Sequence, residues 1–140
     1  GLRSLKTRMD AHEAAGLRIA NWLSERPEVS QVLHPALEQH PDHVIWKRDF
    51  TGSNGLFSVI LNAVSPEGLK RFFDALELFS MGFSWGGFES LIIPCDPQLK
   101  RSKGHWIDQK VGPLLRIHVG LETVDDLIAD LRAGFEAMGE

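Results

Sequence analysis

Two short segments carry the residues best suited to chemistry: Ser84-Trp85-Gly86-Gly87-Phe88-Glu89-Ser90 and Arg116-Ile117-His118-Val119-Gly120-Leu121-Glu122. The first is a polar loop hinged on two glycines. The second sets an arginine inside an apolar stretch, Leu114 to Val119. A buried guanidinium is costly without an anion, and its planar fork of donors matches the two oxygens of a carboxylate better than an ammonium does. The pair points to a carboxylate clamp. In a strand, Arg116 and His118 share one face by the two-residue period, while Leu115, Ile117 and Val119 take the other. Spacing alone favours a plainer reading, a half-exposed strand with a solvated polar face. Likewise two adjacent glycines ordinarily mark a turn that needs φ > 0, and a tryptophan ordinarily packs in a core. Yet Ser84, with free backbone groups beside two glycines, suits close approach to an anion. Glu89 reads as structural, accepting backbone hydrogen bonds, with no catalytic role.

Other candidates are weaker. His34, His40 and His43 have no usual zinc spacing and no thiol nearby, so no metal site is expected. Lys100-Arg101-Ser102-Lys103-Gly104-His105-Trp106 has charge that suits phosphate, but it lacks a glycine cradle opening a helix and reads as a solvated loop. Cys95 lies between Ile93-Pro94 and Asp96-Pro97 with no activating base, which argues against a catalytic thiol.

The elements that must position these residues follow from periodicity. Leu5, Met9, Ile19, Trp22 and Leu23 recur at helical steps, and Arg26-Pro27 ends that helix because the residue before proline is driven out of the α region. A short strand is expected over Val29 to Leu33, then a long loop with local turns from His34 to Asn54. The run Leu56 to Leu61 reads as a buried strand. Ser65-Pro66 supplies an N-cap and a first-turn proline for a helix whose apolar positions are Leu69, Phe72, Phe73 and Leu76. Strands near Ser90 to Ile93 and over Leu114 to Val119 follow. Thr123 and Asp126 open a last helix with the stripe Leu127, Ile128, Leu131, Phe135 and Met138. The order α-β-β-α-β-β-α predicts an α/β chain in an α+β arrangement, with about four largely antiparallel strands covered by helices.

At 140 residues with 43% hydrophobic content the chain suits one domain with a real core. A net charge of −4 argues against a surface that tracks nucleic-acid phosphates. One cysteine and no apolar run near the length of a membrane span predict a soluble, cytoplasmic protein without membrane partners.

On these residues the chain resembles the carboxy-terminal domain of the transsulfuration family of pyridoxal-phosphate (PLP) enzymes, of fold type I. Within it, Trp46-Lys47-Arg48-Asp49-Phe50-Thr51-Gly52-Ser53-Asn54-Gly55-Leu56-Phe57-Ser58, together with Trp85 and His118, resembles the bacterial cystathionine β-lyase branch. The γ-branch typically carries leucine and serine at the last two positions. The resemblance implies substrate binding by Ser84, Trp85 and Arg116, with the arginine on the α-carboxylate. It also implies a PLP-dependent carbon–sulfur lyase that splits L-cystathionine to homocysteine, pyruvate and ammonia, a step towards methionine, in a homotetramer.

The resemblance also implies what is to be sought elsewhere. The amino terminus reads as cut, and the PLP-binding domain, with the lysine that carries the cofactor, is expected to precede it. Of Lys6, Lys47, Lys70, Lys100, Lys103 and Lys110, none sits in the family's lysine motif. Residues 1–140 are therefore expected to supply substrate recognition, to hold no cofactor and no catalytic residue, and to be inactive alone. The first helix and the inner face of the sheet are expected to expose apolar surface. The alternative reading is a free-standing amino-acid-binding regulatory domain of ferredoxin-like type, with Arg116 as the ligand anchor.

Overall fold

The apolar stripe of the first helix settles against a sheet, and most of the architecture follows from that contact. In the computed structural model, which describes residues 1–100 and 111–139, helix α1 (Leu5–Ser24) buries His12, Ala15, Gly16, Ile19, Ala20 and Leu23, a stripe at three- and four-residue steps. It stops at Ser24, and the next two N–H groups bond back to Trp22 and Leu23 before Pro27. Strand β1 (Val29–Leu33) follows, then helix α2 (His43–Asp49), strand β2 (Leu56–Leu61) and helix α3 (Pro66–Asp74). Strands β3 (Ser80–Met81), β4 (Leu91–Pro94) and β5 (Leu114–His118) precede helix α4 (Val124–Gly139). Ser65 caps α3, its hydroxyl accepting the Gly68 N–H at 3.0 Å, with Pro66 in the first turn.

The strands form a mixed sheet in the order β1-β2-β5-β4-β3. The pairs β1–β2, β2–β5 and β5–β4 are antiparallel, and only β3 runs parallel to its neighbour β4. Phe57, Val59, Leu61, Ile92, Leu115 and Ile117 form one face and pack with Ile19, Leu23, Phe72, Leu127, Leu131 and Phe135 of the helices. Burial of this kind, at roughly 25 cal/mol per Å² of apolar area, is what holds α1, α3 and α4 to the sheet. Leu56, Ser58, Ile60, Leu91, Ile93, Leu114, Arg116 and His118 point to the opposite face by the two-residue alternation.

Two elements depart from the sequence reading. Within the expected loop of residues 34–54 stands helix α2, which buries none of its residues and turns Val44 and Ile45 outward, so no apolar stripe announces it. Strand β3 has two exposed residues and leaves no periodic trace, so the sheet has five strands among the described residues where about four were expected. Leu5 at the start of α1 is exposed as expected, but on the sheet the expected apolar exposure falls elsewhere. Ile60, Ile93 and Leu114 are buried on the second face of the sheet, and the exposed large apolar residues instead include Val44, Ile45 and Phe50 around α2, Met81 of β3, and Phe83, Trp85 and Phe88 after it.

Candidate functional site

The site is built on β5, the middle strand of the five. Register places Arg116 between Ser58 of β2 and Ile93 of β4, and His118 between Leu56 and Leu91. Both side chains leave the sheet on the face opposite the helices, as the two-residue period requires. Across that face lies the loop of residues 82–90. Arg116 Nη2 donates to the Ser84 carbonyl at 3.2 Å, and the guanidinium carbon stands 5.3 Å from the centre of the Trp85 ring. A guanidinium over an indole face is an attractive arrangement that leaves its edge donors available. Among the described residues no carboxylate lies within ion-pair distance of Arg116.

The loop's own geometry is tight. The Ser84 hydroxyl donates to the Gly86 carbonyl at 2.8 Å and accepts the Gly86 N–H at 3.3 Å, so it turns inward. Gly86 has φ = 146°, a conformation that L side chains rarely adopt, which is why glycine stands there. Trp85, ordinarily a core residue, is 84% exposed, while Ser84 and Arg116 are half-buried. The structure thus brings Ser84, Trp85 and Arg116 together as the sequence reading grouped them.

Carboxylates pin both ends of the loop. Asp130 of α4 is buried and accepts the N–H groups of Glu77 (2.7 Å), Leu78 (3.1 Å) and Phe79 (2.9 Å) just before β3. Glu122 accepts the Ser90 N–H and hydroxyl, both at 2.8 Å, and the Ser90 oxygen accepts the Gly120 N–H at 2.9 Å. A Cβ at Gly120 would stand 2.3 Å from the Phe88 carbonyl, so only glycine admits this closure. The backbone-accepting role expected of Glu89 belongs to Glu122, and Glu89 is exposed. Sequence reasoning missed Asp130 and Glu122. The signal for Asp130 was there, a carboxylate three residues after Leu127 on the apolar side of α4.

His118 is the third contact of the loop. Its Nε2 lies 3.2 Å from the Gly87 carbonyl, and since a carbonyl only accepts, Nε2 carries the hydrogen and Nδ1 the lone pair. That Nδ1 is buried with no partner among the described residues. His12 of α1 lies 5.4 Å away, ring centre to ring centre, and donates from Nδ1 to the Val119 carbonyl at 2.8 Å. Burial holds His118 below the ordinary imidazole range; the Gly87 carbonyl opposes this, and His12 adds to the lowering. Both rings, with Leu5, Met9, Trp85 and Gly86, line a cleft of about 250 Å³.

A larger cleft of about 360 Å³ runs between His34, Trp46, Phe50 and Leu56 and includes none of Ser84, Trp85 or Arg116. The three weighed histidines serve local turns. His34 Nδ1 accepts the Ala36 N–H, His40 Nδ1 accepts the Asp42 N–H, and His43 Nδ1 donates to the Pro35 carbonyl. Burial pushes the Cys95 thiol up, away from the reactive thiolate. Residues 101–106 of the weighed phosphate stretch lie outside the described residues, as do Lys103 and Lys110.

Residues 1–136 match the family of Cys/Met metabolism PLP-dependent enzymes. The chain is 50% identical over 137 residues to cystathionine beta-lyase of Salmonella typhimurium, covering 96% of this chain and 35% of that protein. It is 50% identical over 139 residues to cystathionine beta-lyase MetC of Escherichia coli, with the same shares covered. Its fold superposes on a crystal structure of cystathionine gamma synthase from Xanthomonas oryzae pv. oryzae in complex with cystathionine, with a TM-score of 0.86 at 30% identity, over 99% of this chain and 36% of that one. The chain spans about a third of the length of the curated relatives it matches. The described residues do not by themselves fit PLP. Lys6, Lys47, Lys70 and Lys100 are all exposed, Lys6 and Lys70 are engaged by Asp10 and Asp74, and none lines the cleft beside Trp85.

Proposed function

The chain belongs to the Cys/Met metabolism PLP-dependent enzymes, and from that premise we propose that it is the carboxy-terminal, substrate-recognising domain of a carbon–sulfur β-lyase acting on L-cystathionine. Arg116 carries this reading. It is a half-buried guanidinium on a central strand, stacked on Trp85, with one donor spent on the Ser84 carbonyl and no carboxylate beside it among the described residues. Such a group is completed by an anion, and a fork of parallel N–H donors selects the α-carboxylate of an amino acid. Ser84 and Trp85 shape the seat, the serine through its carbonyl and its turn, the indole as a wall. Holding the α-carboxylate fixes how the rest of the amino acid is presented, a positioning contribution. The cofactor's seat belongs to the remaining two thirds of the length that the relatives possess, so residues 1–140 alone are inactive. Identity of 50% to β-lyases against 30% to the γ-synthase supports the β-branch. The free-standing regulatory reading gains nothing here, since the family match runs over residues 1–136.

Product analysis tests the assignment. With L-cystathionine the full-length protein is expected to yield pyruvate and homocysteine in equal amounts. Cysteine with 2-oxobutyrate as the main products would overturn the β-branch while leaving the family intact.

A further inference from the structure

We infer that His118 is a positioning residue: its Nε2–H latches the Gly87 carbonyl and so holds the loop bearing Ser84 and Trp85 against Arg116. This rests on the carboxylate reading above. Three features of the structure carry it. His118 lies two residues after Arg116 on the same face of β5, so one rigid strand presents both the clamp and the latch. Their loop contacts bracket the glycine turn, Arg116 at the Ser84 carbonyl and His118 at the Gly87 carbonyl, with Trp85 and Gly86 between them. The imidazole also stands beside the turn, where a side chain at Gly86 would meet it: a Cβ built there would lie 4.0 Å from its Cε1.

The latch is needed because the carboxylate anchors reach only the ends of the loop. Asp130 holds residues 77–79 and Glu122 holds Ser90, whereas Trp85 and Phe88 between them are exposed. The Leu121 N–H holds the Phe88 carbonyl at 2.9 Å, and from Ser84 to Gly87 the hydrogen bonds that reach the loop from β5, among the described residues, are those of Arg116 and His118. An arginine that must support its own loop is less free to present its donors to a ligand. The imidazole is itself fixed: it is 4% exposed, flanked by Leu56 and Leu91, and faced by the His12 ring, which the Val119 carbonyl anchors. A latch on a packed side chain transmits the position of β5 to the loop.

The test uses the full-length protein and L-cystathionine kinetics, with thermal midpoints in parallel. His118→Leu fills the space and removes the donor, and it is expected to lower kcat/KM about fivefold to tenfold, the scale of one lost hydrogen bond. His118→Gln carries an amide nitrogen at nearly the reach of Nε2 and should recover most of that loss. His118→Asn, one carbon shorter, should not. In an Arg116→Lys background the added cost of His118→Leu should shrink to less than about twofold, because a latch acts through the clamp it positions. A merely structural histidine would show equal losses in Gln and Asn and full additivity with Arg116→Lys; that result overturns the inference, as does wild-type activity in His118→Leu. If His118→Leu does not fold, the Gln–Asn comparison decides alone. Unchanged kinetics in Arg116→Lys would instead overturn the carboxylate reading.

Discussion

Arg116 and the histidines show how one strand or turn assigns opposite electrostatic fates to its side chains. Arg116 meets no carboxylate among the described residues on a half-buried face, whereas burial pushes His118 and His34 below the ordinary imidazole range. Arg116→Lys retains the charge and removes the fork, and charge-assisted hydrogen bonds contribute roughly 1.5–3 kcal/mol, so kcat/KM for L-cystathionine should fall about tenfold to a hundredfold. Steady-state kinetics that match the wild type would exclude Arg116 as the clamp. The histidines set a pH dependence whose sign is fixed. Both sit below the ordinary value of 6.5 when folded, so the unfolded chain binds more protons and stability rises with pH. Their contribution is complete above pH 6.5 and is lost as pH falls from there through the folded values. Urea midpoints of this chain should therefore be lower at pH 5.5 than at pH 7.5. His34→Asn, which keeps an acceptor for the Ala36 N–H, should narrow that difference.

At the scale of elements, the loop of residues 82–90 owes its shape to neighbours far away in sequence. Asp130 of α4 satisfies three successive N–H groups at the entrance to β3, so helix and loop are coupled through one carboxylate. Asp130→Ala leaves those three donors, of which the Phe79 N–H is buried, without their acceptor, and a cost on the order of 2–3 kcal/mol in stability is expected, read from the denaturant midpoint. Loss at a surface carboxylate such as Asp126 should stay within about 0.5 kcal/mol. Helix α2 illustrates the opposite case, an element with no buried residue whose apolar Val44 and Ile45 face outward. Its start is set by turn chemistry, the Asp42 N–H bonded to His40, and by no stripe that a periodicity argument could find.

At the scale of the whole molecule, no described lysine is placed to hold PLP. Every described lysine is exposed, and Lys6 and Lys70 are tied to carboxylates one helical turn away, at Asp10 and Asp74. The polypeptide of residues 1–140, incubated with PLP, treated with borohydride and dialysed, should retain no stoichiometric pyridoxyl label on any one lysine. Mass spectrometry after digestion reads this directly, and one fully labelled lysine would refute the division of labour proposed above. Phe83, Trp85 and Phe88 turn outward on the loop that faces Arg116.

What the sequence determined by itself was whatever depends on short-range repetition. The stripes of α1 and α4, the Ser65-Pro66 start of α3, the buried runs of β2 and β5, and the sharing of one face by Arg116 and His118 all follow from periods of 3.6 and 2. The grouping of Ser84, Trp85 and Arg116 was legible through the glycine pair, the arginine within an apolar run and the family resemblance. Only the tertiary structure decided how that group is held. The contacts from Asp130 to residues 77–79, from Glu122 to Ser90 and from His118 to Gly87 join positions 30 or more residues apart. The two-residue β3 and the unburied α2 were likewise invisible, because each is fixed by its neighbours in space and carries no repeat of its own. Loop-closing contacts of that kind depend on which elements the core brings together, and a linear pattern does not encode that.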